Sequence, residues 1–133
     1  MQRDMDMVRD IMLEIETGKK VFEVRSDDTS RILMVEELGM SREEADKLEH
    51  HLKLIQNRGL AEFTRTGGGG WIVDEITWAG HDFLDSVRDS EIWAQTKVGA
   101  EKAGGFTFDI IVAVAKGLIR TKLEKHTGVQ IDL

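Results

Sequence analysis

Cysteine, long apolar runs and an excess of positive charge are all missing from this chain of 133 residues. No cysteine, proline or tyrosine occurs in it. The absence of cysteine excludes disulfides, thiolate catalysis and cysteine-ligated zinc, and it permits the reducing cytoplasm in which we expect the protein to reside. Hydrophobic residues make up 41% of the chain and charged residues 32%, which is typical of a globular protein, and the length is that of one domain.

No apolar run is long enough to cross a membrane. The most apolar stretch, residues 106–119, contains two charged residues and is shorter than the ~20 residues that a spanning helix needs. Asp4, Asp6 and Asp10 lie among the N-terminal methionines, so this end lacks the basic flank and apolar core of a signal peptide. We therefore expect no membrane partner and a fold that begins at the N-terminus.

Positive charge is scarce in the first part of the chain. The net charge is −7. Residues 1–50 hold 8 lysines and arginines against 14 aspartates and glutamates, whereas residues 51–133 hold 10 against 11. Because affinity for DNA comes largely from cations that neutralise the phosphate backbone, this balance argues against strong non-specific binding to DNA.

Two helical patterns separated by a short strand occupy the first third of the chain. The first helix is predicted over residues 2–16 from apolar residues at alternating three- and four-residue steps, namely Met5, Val8, Met12 and Ile15. Residues 21–24 predict a small strand beside a later hairpin. Asp28 or Thr29 is expected to cap a short second helix that Gly39 ends. That helix is expected to bury four apolar side chains, those of Ile32, Leu33, Val35 and Leu38.

Residues 40–78 are the stretch around which the rest of the chain is organised. Ser41 and Glu44 form a capping box that predicts the start of a third helix, and Gly59 ends that helix. Its buried stripe is expected to comprise Ala45, Leu48, Leu52 and Ile55. The opposite face, which a DNA-reading helix would present, is mixed in charge.

A glycine-tipped hairpin follows the third helix. Strands are predicted over residues 60–63 and 71–77, and the glycines of residues 67–70 are expected to form a mobile tip. A helix followed by such a hairpin is typical of the end of a winged helix. The predicted fold class is therefore mostly α with a small sheet (α+β), a winged helix-turn-helix with additional C-terminal helices.

Three further helices are predicted after the hairpin. Thr77 caps the fourth, Ser90 begins the fifth, and Thr107 caps a sixth that runs from 108 to about 125. The fourth and fifth helices are expected to bury Phe83, Leu84, Val87, Ile92, Trp93, Thr96 and Ala100. We expect one domain over residues 1–133, made of a winged-helix unit (1–89) and a C-terminal helical extension (90–133).

Three blocks of sequence resemble a family of small bacterial and phage or prophage proteins that is catalogued as a domain of unknown function. They are the opening MQRDMDMVRDIMLEIE, the segment EHHLKLIQNRGL and the segment ITWAGHDFLDSVRDSEIWAQTK. Their order and spacing agree with the family from Met1 to about Lys97. The chain is also similar, more distantly, to the YjcQ-like winged-helix proteins. The resemblance implies a winged-helix fold, a cytoplasmic setting and carriage on mobile elements, and it implies no reaction, ligand or catalytic residue.

The candidate nucleic-acid contacts lie on the third helix and the wing. They are Arg42, Lys47, His50, Lys53 and Arg65. Such cations would contact phosphates or groove edges of double-stranded DNA. The alternative is that the acidic residues of the same helix pair with them on a solvated face.

Neither a metal site nor a catalytic site is expected. His50 and His51 are adjacent in a helix and point about 100° apart, so they cannot share a metal as an i, i+4 pair can. The run Gly67–Gly70 lacks the lysine and the following helix of a phosphate-binding loop. We therefore expect no cofactor, no metal and no enzymatic activity. Trp71, Trp78 and Trp93 are expected to pack in the core rather than to anchor a partner.

The predicted function is a non-enzymatic winged-helix module, a DNA-binding or regulatory protein of phage or mobile-element origin. The alternative is a protein-interaction module that binds and inhibits a host or defence component without binding DNA. A homodimer through the sixth helix is also expected, because that helix is apolar on several sides and small residues would let a second helix approach closely. The apolar residues are Ile110, Ile111, Val114, Leu118 and Leu123, and the small residues are Ala113 and Gly117. The alternative is that the first, fourth and fifth helices cover the sixth helix within one monomer.

Overall fold

The computed structural model describes residues 1–130, within which it contains six helices and one three-stranded antiparallel sheet. The helices are α1 (Met5–Glu16), α2 (Asp27–Leu33), α3 (Arg42–Arg58), α4 (Trp78–Val87), α5 (Ser90–Lys102) and α6 (Phe108–Thr127). The strands are β1 (Val21–Glu23), β2 (Ala61–Arg65) and β3 (Gly70–Ile76). The predicted mostly helical α+β class is confirmed. No helix within residues 1–130 is long and apolar enough to cross a bilayer.

The first helix starts later than predicted and buries the predicted face. Asp4 is its N-cap, with an extended backbone and a carboxylate that accepts the Met7 backbone N–H at 3.2 Å. An extended residue at the cap keeps residues 2 and 3 outside the helix. The buried side chains are Met5, Val8, Ile11, Met12 and Ile15.

The second helix differs from its prediction in three respects, namely its N-cap, its C-terminal end and its buried face. Ser26, not Asp28 or Thr29, is the N-cap, and its hydroxyl accepts the Thr29 backbone N–H at 3.2 Å. The helix ends at Met34 in the left-handed conformation, five residues before Gly39. Ser30 is the buried side chain, because its hydroxyl donates to the Ser26 carbonyl oxygen at 3.1 Å and so needs no solvent.

As a result, most of the apolar side chains predicted to face the core point outward. Ile32, Leu33 and Val35 are exposed, and Leu38 is half-buried. The chain between α2 and α3 is nevertheless ordered by hydrogen bonds. The Asp27 carboxylate accepts the backbone N–H groups of Gly39 and Met40 at 2.9 and 3.1 Å.

The third helix has the predicted bounds. The Ser41 hydroxyl accepts the Glu44 backbone N–H at 3.1 Å, and Gly59 ends the helix in the left-handed conformation. Ala45, Leu52 and Ile55 are buried as predicted, whereas Leu48 is half-buried. His51 takes the remaining place in the buried stripe.

The sheet has the order β1-β3-β2, so the returning strand of the hairpin is central. The short first strand pairs with it as predicted, with Phe22 opposite Trp71. Phe63 of β2 packs edge-on against the Trp71 ring at 5.5 Å between centroids. These three aromatic side chains are buried and form the inner face of the sheet.

The glycine tip of the hairpin is held to the first strand. The Gly69 carbonyl accepts the Val24 backbone N–H at 2.8 Å. Gly68 and Gly69 both have positive φ, 80° and 92°, and a Cβ on Gly69 would overlap the Val24 carbonyl oxygen. The expectation of a mobile tip is therefore wrong, because backbone pairing with residue 24 continues past the end of β1.

The described chain divides into two compact units, Met1–His81 and the residues from Asp82 onward. In the second unit, α5 begins at Ser90 as predicted, with Asp89 as its N-cap, and Thr107 caps α6 as predicted. Phe83 and Phe108 stack at 5.3 Å. The buried residues predicted for α4 and α5 are confirmed. The predicted division after residue 89 stays a prediction, and residues 131–133 of the predicted extension lie outside the described residues.

Candidate functional site

Three of the predicted nucleic-acid contacts form ion pairs with carboxylates. Glu49 of α3 accepts from Arg65 Nη2 at 2.7 Å and from Lys53 Nζ at 3.3 Å. The Arg65 guanidinium also lies over the Trp71 ring, 4.5 Å from its centroid. Lys47 Nζ lies 2.9 Å from the Asp4 carboxylate of α1. These cations are exposed enough to exchange partners, but each would have to leave a carboxylate to contact a phosphate.

His51, a buried residue of α3, also connects that helix to the start of α1. The backbone N–H of Asp4 donates to His51 Nε2 at 2.8 Å, and His51 Nδ1 lies 2.7 Å from the Lys47 carbonyl oxygen. Because Nε2 accepts, Nδ1 carries the proton and donates to that oxygen. The hydrogen bond to Lys47 Nζ holds the pKa of the Asp4 carboxyl below its usual range. The spacing from Leu48 and Ile55, three and four residues away, is the signal that could have placed His51 on the buried stripe.

His50 is less open to solvent than the other predicted contacts, and its role in binding DNA stays a prediction. The residue is half-buried, and its Nε2 atom is buried without a hydrogen bond among residues 1–130. Burial is the largest cause that lowers the pKa of its imidazole, followed by the neighbouring His51. A neutral, half-buried ring contributes no charge to a phosphate contact.

Arg42 is the remaining predicted contact. It is exposed and forms no ion pair with any of residues 1–130. It lines a cleft of about 420 Å³ between α2, α3 and the glycine tip of the hairpin. Arg25, Asp46 and Glu49 also line this cleft. The charges that line this cleft are therefore balanced rather than cationic.

The longest run of consecutive exposed apolar residues within residues 1–81 is at the end of α2, and we call its four side chains the α2 tip. They are Ile32, Leu33, Met34 and Val35. Ile32 is 79% exposed and Met34 is 92% exposed. The left-handed φ of 57° at Met34 is unusual for a residue other than glycine and costs ~1–2 kcal/mol. The acidic side chains next to the tip are Asp27, Asp28, Glu36 and Glu37.

A second cleft, the acidic groove, lies between α1 and α3 and has a volume of about 410 Å³. The half-buried side chains of Met7, Met40 and Leu48 line it. The charged side chains around it are Asp4, Asp6, Asp10, Glu44 and Lys47. Lys47 pairs with Asp4 and Arg9 lies 3.9 Å from the Asp10 carboxylate, so the groove presents apolar area with a net negative charge at its walls.

Residues 77–80 fix the start of α4 by close backbone packing. The Thr77 hydroxyl donates to the Gly59 carbonyl oxygen and accepts the Gly80 backbone N–H, the latter at 3.0 Å. A Cβ on Gly80 would overlap the Leu60 carbonyl oxygen. The threonine and glycine of this block therefore have a structural role. Trp78, between them, is 84% exposed, so its predicted packing role is wrong, whereas Trp71 and Trp93 are buried as predicted.

Comparison with known proteins matches most of the chain to one family. The family model described as "Hypothetical protein (DUF2513)" matches residues 2–106. A protein of Haemophilus influenzae (strain ATCC 51907 / DSM 11121 / KW20 / Rd), named "Uncharacterized protein", is 27% identical over 127 residues, which cover 92% of this chain and 99% of that protein. No solved structure matches the chain. The resemblance to a family of unknown function is confirmed, and the chain belongs to the DUF2513 family.

Proposed function

We propose that this protein is a non-enzymatic winged-helix module that acts in the cytoplasm by binding another protein, as expected for a regulator carried on a mobile element. The observation that carries the proposal is the α2 tip. Four consecutive exposed apolar side chains in a polar surface are typical of a site that binds a protein.

The tip is held in one conformation before it meets a partner. The Val35 backbone N–H donates to the Ser30 carbonyl oxygen at 3.0 Å, and Arg25 Nη2 donates to the Glu36 carbonyl oxygen at 2.8 Å. A surface that is already ordered loses little conformational entropy on binding, so more of the apolar contact energy becomes affinity. Two of the acidic side chains next to the tip, Asp28 and Glu37, pair with Arg31 at 2.9 and 2.6 Å, so recognition of a partner would rest on the apolar side chains rather than on charge.

Affinity capture from a host lysate with three matched baits tests this proposal. The baits are the wild-type protein, Ile32→Ser with Met34→Ser, and Arg42→Ala. We expect the wild-type and Arg42→Ala baits to retain the same protein, and the double variant to lose it, because exposed apolar anchors dominate binding energy. Retention by all three baits would show that the tip is not the binding surface.

Binding to double-stranded DNA is the second candidate function. It is supported by the order of α2, α3 and the hairpin, which is that of a winged helix, and by Arg42, which is exposed and forms no ion pair with any of residues 1–130. Retardation of a duplex in a gel at low salt tests it. Glu49→Gln would release Lys53 and Arg65 and should strengthen any binding, with Asp74→Asn on the sheet as the control of equal charge change. If neither the wild type nor Glu49→Gln retards DNA, this candidate is excluded.

A further inference from the structure

The acidic groove and the last helix have opposite charge and matching apolar content. α6 carries four cations, Lys116, Arg120, Lys122 and Lys125, against Asp109 and Glu124. On one side of this helix, half-buried Ile119 and exposed Leu123 are one turn apart, with Lys116 and Arg120 beside them. We call these four side chains the α6 face. Each helix turn thus presents an apolar side chain next to a cation.

The cations of α6 are only weakly paired within the described chain. Arg120 and Lys122 lie 4.0 Å from the carboxylates of Glu124 and Asp89, which is the limit of an ion pair. Lys116 and Lys125 form no ion pair with any of residues 1–130. These charges are therefore available to a second surface.

We infer that two copies of the chain associate, with the α6 face of each copy in the acidic groove of the other. The apolar side chains Ile119 and Leu123 would cover Met7, Met40 and Leu48, while Lys116 and Arg120 would face Asp6 and Asp10. Reciprocal docking gives a two-fold dimer in which the same contact is made twice, and this doubles the area buried.

Light scattering with charge-reversed variants tests this dimer. The groove variant is Asp6→Lys with Asp10→Lys, and the helix variant is Lys116→Glu with Arg120→Glu. The wild type should have twice the 15.0 kDa mass of one chain, and each variant alone should have the mass of one chain because its two surfaces repel. Mixed in equal amounts, the two variants should form a dimer with the doubled mass. The basic groove of the groove variant then meets the acidic helix of the helix variant. The wild-type helix of the groove variant meets the wild-type groove of the helix variant, and these two surfaces also have opposite charge.

The control is Glu62→Lys with Glu75→Lys, which makes the same charge change on the exposed side of the sheet and should leave the doubled mass intact. Recovery on mixing also separates lost contact from lost folding, because an unfolded variant could not be restored by a partner. A wild-type mass of one chain overturns the inference. So does a doubled mass that persists in both variants, or a mixture that stays at the mass of one chain.

Discussion

α2 and α3 begin with the same kind of serine cap and then use their side chains in opposite ways. α3 has 17 residues, buries most of its apolar stripe and pairs Lys47 and Lys53 with carboxylates. α2 has 7 residues, buries a serine and exposes its apolar side chains. A surface whose charges are already paired contributes little free energy to the binding of a new ligand, whereas covering exposed apolar area contributes favourable free energy. The contrast is the reason why we propose the α2 tip, rather than α3, as the binding surface of the first unit.

The largest expected difference between α2 and α3 is in the free energy of unfolding that is lost when one apolar side chain of each helix is truncated. Leu52→Ala in α3 should reduce the free energy of unfolding by ~2–5 kcal/mol, because Leu52 is fully buried and a cavity would remain. Leu48→Ala should cost less because Leu48 is half-buried, and Ile32→Ala in α2 should cost less than ~0.5 kcal/mol. Urea denaturation measures all three. A cost at Ile32 equal to that at Leu52 would show that the α2 tip is part of the core.

The next largest expected effect on stability comes from substitutions at the glycine tip of the hairpin. Gly69→Ala should destabilise by more than ~2 kcal/mol, since the new Cβ adds a clash with the Val24 carbonyl to a left-handed backbone. Gly68→Ala, with similar φ but open space around it, should cost only ~1 kcal/mol and serves as the matched control. Equal melting temperatures for both variants and the wild type would restore the expectation of a mobile tip.

The helix ends offer a reciprocal pair of substitutions. Met34→Gly should stabilise the protein by ~1 kcal/mol, because glycine adopts the left-handed conformation without steric cost. Gly59→Met should destabilise by about the same amount at the equivalent end of α3. Thermal unfolding distinguishes the two directions. If Met34→Gly also weakens capture of the partner in the bait experiment, the methionine side chain itself makes the contact.

The smallest effect is the pH dependence of stability. Burial lowers the pKa of His50 in the folded state, so the unfolded chain takes up the proton more readily. Stability should therefore fall as the pH drops below the unfolded histidine pKa of about 6.5 and stop falling once the pH is below the folded pKa. The lowered pKa of Asp4 acts in a more acidic range, where stability is lost as the pH falls through the folded pKa of that carboxyl. Urea denaturation at a series of pH values should show a smaller loss of stability in His50→Gln than in the wild type as the pH drops below the histidine range. An identical pH profile for the two proteins would contradict the role of His50.

Local signals in the sequence predicted α1, α3, α5 and α6 well, because caps and apolar spacing act within a few residues. Ser41, Thr107 and Gly59 mark element ends through hydrogen bonds and φ angles that any helix requires. α2 was mispredicted because several polar residues before it could each serve as the cap. In the structure the Ser26 hydroxyl accepts the Thr29 backbone N–H, and the buried Ser30 hydroxyl donates to the Ser26 carbonyl oxygen one turn earlier.

The sequence by itself determined the presence of the long helices, the bounds of α3, the paired strands and the family of this protein. Only the tertiary structure decided which charges neutralise each other. Lys47 pairs with Asp4 across 43 positions of sequence, and Arg65 pairs with Glu49 across 16. It also decided that His51 is buried between α1 and α3 and that the α2 tip is exposed. These outcomes depend on distances between elements, and helical periodicity reports only which residues share a face, not which neighbour that face meets.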